Sequence, residues 1–273
     1  MKNHVQSLTL RRSTSVIRPM TNIVAPNPSG GRIKREEVLV QTVRVMSTLA
    51  VELAMKRYIL PAWTQAGNNA QMFWNPTGLL MEKVRLGARS DVLIAIDEPI
   101  EDLAESGIIS RETICPIAQA GFGIAVRKGA PLPDLSSVEA FRTALLQARS
   151  VAYSLTGASG IHFLKVIEQL GISDHVKQRA LAIPSGFTAE KLVSGQADLA
   201  VQQISELMSI EGVEIAGPFP EPLQKRTNFS AAIFTDAREP LAAQRFIELL
   251  SNGYSANAYE RCGLLPLQSQ IAA

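Results

Sequence analysis

This chain holds little from which a metal site or a redox centre could be built. Its two cysteines, Cys115 and Cys262, lie far apart, with neither CxxC nor metal-ligand spacing. They call for no zinc site and no oxidising compartment. The three histidines, His4, His162 and His175, are too dispersed to hold one ion. No metal and no cofactor are expected. GxSxG, Walker, HExxH and GxGxxG elements are all missing, and Gly121-Phe122-Gly123 lies inside a strand-like run, too short for a dinucleotide fingerprint. No window approaches the roughly 18 apolar residues of a membrane span. The net charge of +2 provides no basic field for nucleic acid.

What charge excess exists sits at the front. Residues 1–36 carry Lys2, Arg11, Arg12, Arg18, Arg32, Lys34 and Arg35 against Glu36 alone. With Pro26, Pro28, Ser29, Gly30 and Gly31, the segment reads as a disordered leader. It lacks the apolar h-region of a secretory signal, so a cytoplasmic protein is expected. A misassigned N-terminus, with Met20 as the start, keeps the periplasm open.

The remaining residues alternate strand-like and helix-like segments. Val38–Met46, Asp91–Ile96, Phe122–Val126, Ser150–Ser154, Ala197–Gln202, Val213–Ala216 and Phe229–Thr235 read as strands. Leu49–Gln65, Thr77–Leu86, Pro99–Ser106, Ser137–Ala148, Ser159–Leu170, Ser173–Leu181, Thr188–Val193, Glu239–Ser251 and Asn257–Cys262 read as helices. This order predicts an α/β fold with parallel or mixed sheets and helices on both faces. Ligands of such folds bind beyond the strand ends, where helices begin.

Three turns at those places share one chemistry: Ser47-Thr48, Asn75-Pro76-Thr77-Gly78, and Thr156-Gly157-Ala158-Ser159-Gly160. A helix start has unpaired N–H groups and about half a positive charge. Hydroxyls and glycines there let an anion approach the backbone with no charged side chain nearby. Ser47, Thr48, Thr77, Gly78, Ala158, Ser159 and Gly160 are therefore candidate ligand contacts, although a cap by itself stabilises a helix by about 1 kcal/mol and requires no ligand.

The landmarks VMSTLAVELAM (45–55), NPTGLLMEKVRLGARSDVLIAID (75–97), AGFGIAVRKG (120–129), SVAYSLTGASGIHFLKVIEQLG (150–171) and AEKLVSGQADLAVQQISEL (189–207) resemble the type II periplasmic-binding-protein fold, in particular the molybdate-binding components of ABC transporters. The resemblance covers about residues 40–268. It implies two lobes closing over a ligand cleft: 37–120 with 234–273, and 121–233. Thr48 or Ser47, Thr77, the Ala158-Ser159 turn and a position near Phe187 fall on the contacts of that pattern. Where molybdate binders have a tyrosine, this chain has Gln202 followed by Gln203. Glutamine offers a carbonyl and two N–H donors, which favours a ligand with its own donor or an extended carboxylate. Strand alternation turns the two glutamines to opposite sides, and which one faces the cleft stays open.

The GASGIHF and QQISEL stretches are also similar to an aconitate isomerase built on this scaffold. Two functions follow as expectations. One is a solute-binding protein for a small oxyanion or a di- or tricarboxylate, with an ABC permease as partner if exported. The other is an isomerase that moves a double bond in a polycarboxylate, with His162 or Glu206 shuttling the proton. Each catalytic candidate also has a structural reading: His162 as a half-buried ring, Glu206 as a cap. Asp97-Glu98 reads first as an acidic helix entry.

Overall fold

The structure, a computed structural model, describes residues 42–267. The expected disordered leader, 1–36, lies outside the described residues. Strands β1 (Thr42–Ser47), β2 (Asn69–Trp74) and β3 (Val92–Ile96) run parallel in the order β2-β1-β3. Val92 and Ile94 of β3 join one core with Val43 and Val45. Leu93 and Ala95 join a second core, on the opposite face, with Met46 and Leu80. A strand buried on both faces must be apolar throughout, which is why DVLIAI is continuous.

The helical run after β1 is not uniform. A 3-10 turn, Leu49–Val51, leads into α1 (Glu52–Ala54), a π turn over Met55–Ile59, and α2 (Leu60–Gln65). Pro61 has no N–H for the Arg57 carbonyl one turn back. The wider turn stands directly before it, as is common where a helix ladder is interrupted. Helix α3 (Thr77–Arg85) buries Leu80, Met81 and Val84 and is followed by Gly87 at φ +93, a conformation glycine adopts without steric cost. Helix α4 (Asp97–Glu105) follows β3 directly.

Asp91 ties this half together. Its buried carboxylate accepts the Arg44 backbone N–H at 2.8 Å and the Arg44 guanidinium at 3.1 and 3.2 Å. It also accepts the N–H groups of Arg238 and Glu239 at 2.8 and 3.2 Å. Burial alone would raise its pKa, but the Arg44 side chain and the backbone donors outweigh that and hold it below its ordinary value.

Strand β4 (Cys115–Arg127) carries the chain into the second half. That half contains α5 (Val138–Gln147), β5 (Val151–Ser154), α6 (Ala158–Gln169), α7 (Ser173–Lys177), β6 (Leu181–Ile183), α8 (Glu190–Val193), β7 (Leu199–Gln203), α9 (Ile204–Leu207) and β8 (Val213–Pro218). The chain returns through β9 (Arg226–Ile233), α10 (Pro240–Ser251), α11 (Gly253–Arg261) and β10 (Leu265–Pro266). The strand order is β2-β1-β3-β9-β4-β7-β5-β6, with β8 and β10 also on β4. The sheet is mixed, because β9 runs antiparallel to both β3 and β4.

One strand thus serves both halves. Cys115–Gly121 of β4 pairs with β9, and Phe122–Ala125 pairs with β7. At the changeover the Gln224 side chain accepts the Phe122 N–H and donates to the Phe122 carbonyl, both at 2.9 Å. The second half has its own cores, around Phe141, Phe163 and Val201 and around Ala152, Leu192 and Ala200.

Several expected boundaries shift. Strand β9, expected in the 121–233 segment, pairs along its length with β3 and the first part of β4. The helix expected over Ser173–Leu181 stops at Lys177, since Leu181 begins β6 on the edge of the sheet. Thr77 is the first helical residue rather than the cap, which is Pro76. Thr48 does stand at a cap, but its hydroxyl makes no capping bond.

Candidate functional site

Strands β1, β2, β3 and β5 end at loops that meet around a cavity of about 280 Å³. Its wall includes Thr48 after β1, Thr77 and Gly78 after β2, Ile96 at the end of β3, and Gly157 and Ala158 after β5. The start of α3 and the start of α6 therefore face the same space. Two of the turns touch: a Cβ at Gly78 would lie 3.3 Å from the Thr156 carbonyl. Gly160 meets a stricter demand, for its Cβ would fall 1.6 Å from the Ser154 carbonyl oxygen. Helix α6 reaches its place only because residue 160 has no side chain.

One hydroxyl of the polar lining is unfinished. Thr77 Oγ1 is buried and has no hydrogen-bond partner, whereas the buried Gln203 side chain faces the Glu206 N–H in a capping box at the start of α9. Buried polar atoms are normally paired, so the Thr77 hydroxyl is available to a guest atom or a water. The residues themselves are 8% and 4% exposed.

Gln203, not Gln202, lines the cavity. Gln202 is engaged by other protein groups. Its Oε1 accepts the Thr188 N–H at 2.8 Å and the Thr188 hydroxyl at 3.0 Å, and its Nε2 donates to the Gly186 carbonyl at 3.1 Å. That amide secures the 186–188 loop, and Phe187 is not in the cavity wall.

Glu206 contributes the last wall residue. Its carboxylate accepts the Gln203 N–H at 3.2 Å. Burial pushes its pKa up to about 8, and the nearby Glu52 carboxylate adds to the rise. At neutral pH it carries its proton and can donate a hydrogen bond. Glu52 itself is ion-paired to Lys56.

The other candidates lie elsewhere. Ser47 is buried and donates its hydroxyl to the Thr48 carbonyl at 3.1 Å. Ser159 and Gly160 pack behind the turn rather than in the cavity wall. His162 faces an adjoining cavity. Its Nε2 sits 2.7 Å from the Leu223 carbonyl, which can only accept, so that nitrogen carries a hydrogen. The expectation of a cavity free of charged side chains is corrected by Arg85, which stands exposed in its wall at the end of α3. Sequence reading missed Arg85 because it lies two turns beyond the helix start that drew attention.

The family model for bacterial extracellular solute-binding proteins matches residues 43–264. An aconitate isomerase from Pseudomonas sp is 32% identical over 182 residues, covering 66% of this chain and 69% of that protein. The molybdate-binding protein ModA of Mycobacterium tuberculosis is 22% identical over 212 residues, 73% of this chain and 76% of its own. Among solved structures, the periplasmic molybdate-binding protein of Azotobacter vinelandii superposes with a TM-score of 0.70 at 18% identity, covering 83% of this chain and 100% of that one. Among the described residues no helix is long and apolar enough to cross a membrane, and no cluster of side chains suited to a metal ion occurs.

Proposed function

This chain belongs to the bacterial extracellular solute-binding protein family, and from that premise we propose that it binds a small carboxylate or oxyanion in the cavity at the helix starts. The observation that carries this reading is the buried, unpartnered hydroxyl of Thr77, set in one cavity wall with the starts of α3 and α6. Helix-start amides and the Thr77 hydroxyl donate to an anion without a buried countercharge. A protonated Glu206 adds one more donor. Gln203 serves either a hydroxyl of the ligand through Oε1 or a carboxylate through Nε2 once the amide is turned over. The first option favours a ligand with a donor of its own over bare molybdate. The lobes proposed to close on it meet along β4, with the first ending near residue 120 and resuming near residue 226.

The test is thermal stabilisation of the purified chain by sulfate, molybdate, citrate and tricarballylate. Ligand at about 100 times Kd stabilises by about 2.7 kcal/mol, a shift that is easily read. No shift with any of the four sinks the proposal.

A second reading is favoured by Glu206. A buried carboxyl with a pKa of about 8 is poised to give and take a proton near neutral pH. The Pseudomonas relative is an aconitate isomerase. In an isomerase reaction of this type, a C–H bond of a methylene beside a carboxylate breaks, the double bond shifts by one carbon, and a new C–H bond forms at the former alkene carbon. Glu206 would move that proton, with His162 Nδ1 as the alternative base. Ultraviolet monitoring of cis- and trans-aconitate decides it. Turnover lost in Glu206→Gln and kept in His162→Ala assigns the step to Glu206. Tight binding without turnover leaves the solute-binding reading alone.

An ABC permease partner and a location in the cell belong to the same proposal. A cytoplasmic location fits the isomerase reading and a periplasmic one fits the permease. Fractionation of cells expressing the tagged chain separates them.

A further inference from the structure

The cavity at the helix starts adjoins another. Ile96, Pro99, Ala158 and Ile161 belong to the walls of both it and a second cavity of about 390 Å³. The second space has a different chemistry. Lys165, Lys225 and Arg226 line it together with Asp97 and Glu98. Arg226 is already paired with Glu221 at 2.7 Å, and Asp97 accepts the Ser230 hydroxyl at 2.7 Å, a bond that leaves its charge in place. Lys165 and Lys225 are exposed, and neither has an ion-pair partner among the described residues.

An independent observation points to a guest. Thr227, at the start of β9, is 6% exposed and lines this cavity, and its Oγ1 is buried with no hydrogen-bond partner. A buried hydroxyl without a partner is costly to leave so. It repeats, in the adjoining space, the condition of Thr77 in the first.

We propose that the second cavity is a carboxylate subsite, and that the solute is a di- or tricarboxylate spanning both cavities. One carboxylate lies at the starts of α3 and α6. Another lies against the Thr227 hydroxyl and the ammonium groups of Lys165 and Lys225. This rests on the anion-binding reading of the first cavity. A compact tetrahedral oxyanion fills only the first space and leaves Thr227 unsatisfied. The lysines are solvated, so each adds attraction that weakens with salt, while the buried hydroxyl adds direction.

Calorimetric titration of the full chain with acetate, sulfate and tricarballylate at one ionic strength tests this. Tricarballylate has no double bond to move, so binding is read apart from any turnover. The expected result is tricarballylate at least about 100-fold tighter than acetate. The Lys165→Gln/Lys225→Gln double variant should lower that ratio about tenfold, and Thr227→Val about fivefold. An unchanged ratio in both variants, or sulfate binding tighter than tricarballylate, overturns the second subsite and leaves anion binding at the first intact. Binding of none of the three overturns both.

Discussion

Asp91 and Glu206 are both buried carboxyl groups near the ends of strands, and the molecule holds them in opposite states. Asp91 accepts bonds from the Arg44 guanidinium and from three backbone N–H groups. Glu206 accepts the Gln203 backbone N–H, has a hydrogen bond with the Gln202 side chain, and faces a cavity and a second acid. Burial disfavours charge at both. Donors overcome that at Asp91, and nothing comparable does so at Glu206. The difference separates a carboxylate spent on holding β1, β3 and the start of α10 together from a carboxylic acid kept available to a guest.

The largest effect that would break this contrast is at Asp91. Asp91→Ala leaves the Arg44 guanidinium and three backbone donors without their partner and should cost roughly 3–5 kcal/mol in urea unfolding. A loss under about 1 kcal/mol would mean that the network does not hold the fold.

The second effect is in pH. Asp91 has a folded pKa below its ordinary value, so its stabilisation is present above that ordinary value and is lost as pH falls through the folded one. Glu206 is the reverse. Its stabilisation is present below its ordinary 4.5 and is lost as pH rises toward about 8. Glu206→Gln should therefore be more stable than the parent at pH 8.5 by roughly 2–4 kcal/mol and show little gain at pH 4.5. Equal behaviour at both pH values would show that Glu206 is not held neutral.

A smaller change sharpens the first region. Arg44→Met removes the guanidinium but keeps the backbone donors of Asp91, and should cost about 1–2 kcal/mol, less than Asp91→Ala in the same titration. The smallest effect is at the cavity. Thr77→Val deletes a hydroxyl that pairs with nothing, so the ligand-free protein should change by no more than about 0.5 kcal/mol. The thermal stabilisation by tricarballylate should fall at the same time. A large loss of ligand-free stability would mean Thr77 is a structural group after all.

The sequence announces the first of these regions less clearly than the second. Asp91 reads as the first letter of a strand, and its partners Arg44 and Arg238 come from opposite ends of the chain, so no local pattern unites them. The cavity is more legible, because Thr48, Thr77, Gly78 and Ala158 follow strand ends, and strand ends converge in α/β folds. Alternation put Gln202 and Gln203 on opposite sides of β7, but only the bonds to Thr188 and Gly186 reveal which one is free for a ligand. Strand β3 was plain from its run of apolar residues. Strands β2 and β6 were not. The first is half-exposed, with Asn69, Gln71 and the apolar Phe73 on its outer side, and the second is three residues long. Thr227 gave no signal, since a threonine at the start of a strand is ordinary until its hydroxyl is found buried and alone.

Gln224 carries a consequence of its own. Where β4 leaves one set of neighbours for another, a single amide side chain satisfies both polar groups of Phe122. The Phe122 peptide groups are therefore not stranded at the joint between the two halves. Because Gln224 lies on the returning segment and the Phe219 N–H also reaches the Phe122 carbonyl at 3.1 Å, the outgoing strand and the returning segment are bonded to each other where they pass between the halves.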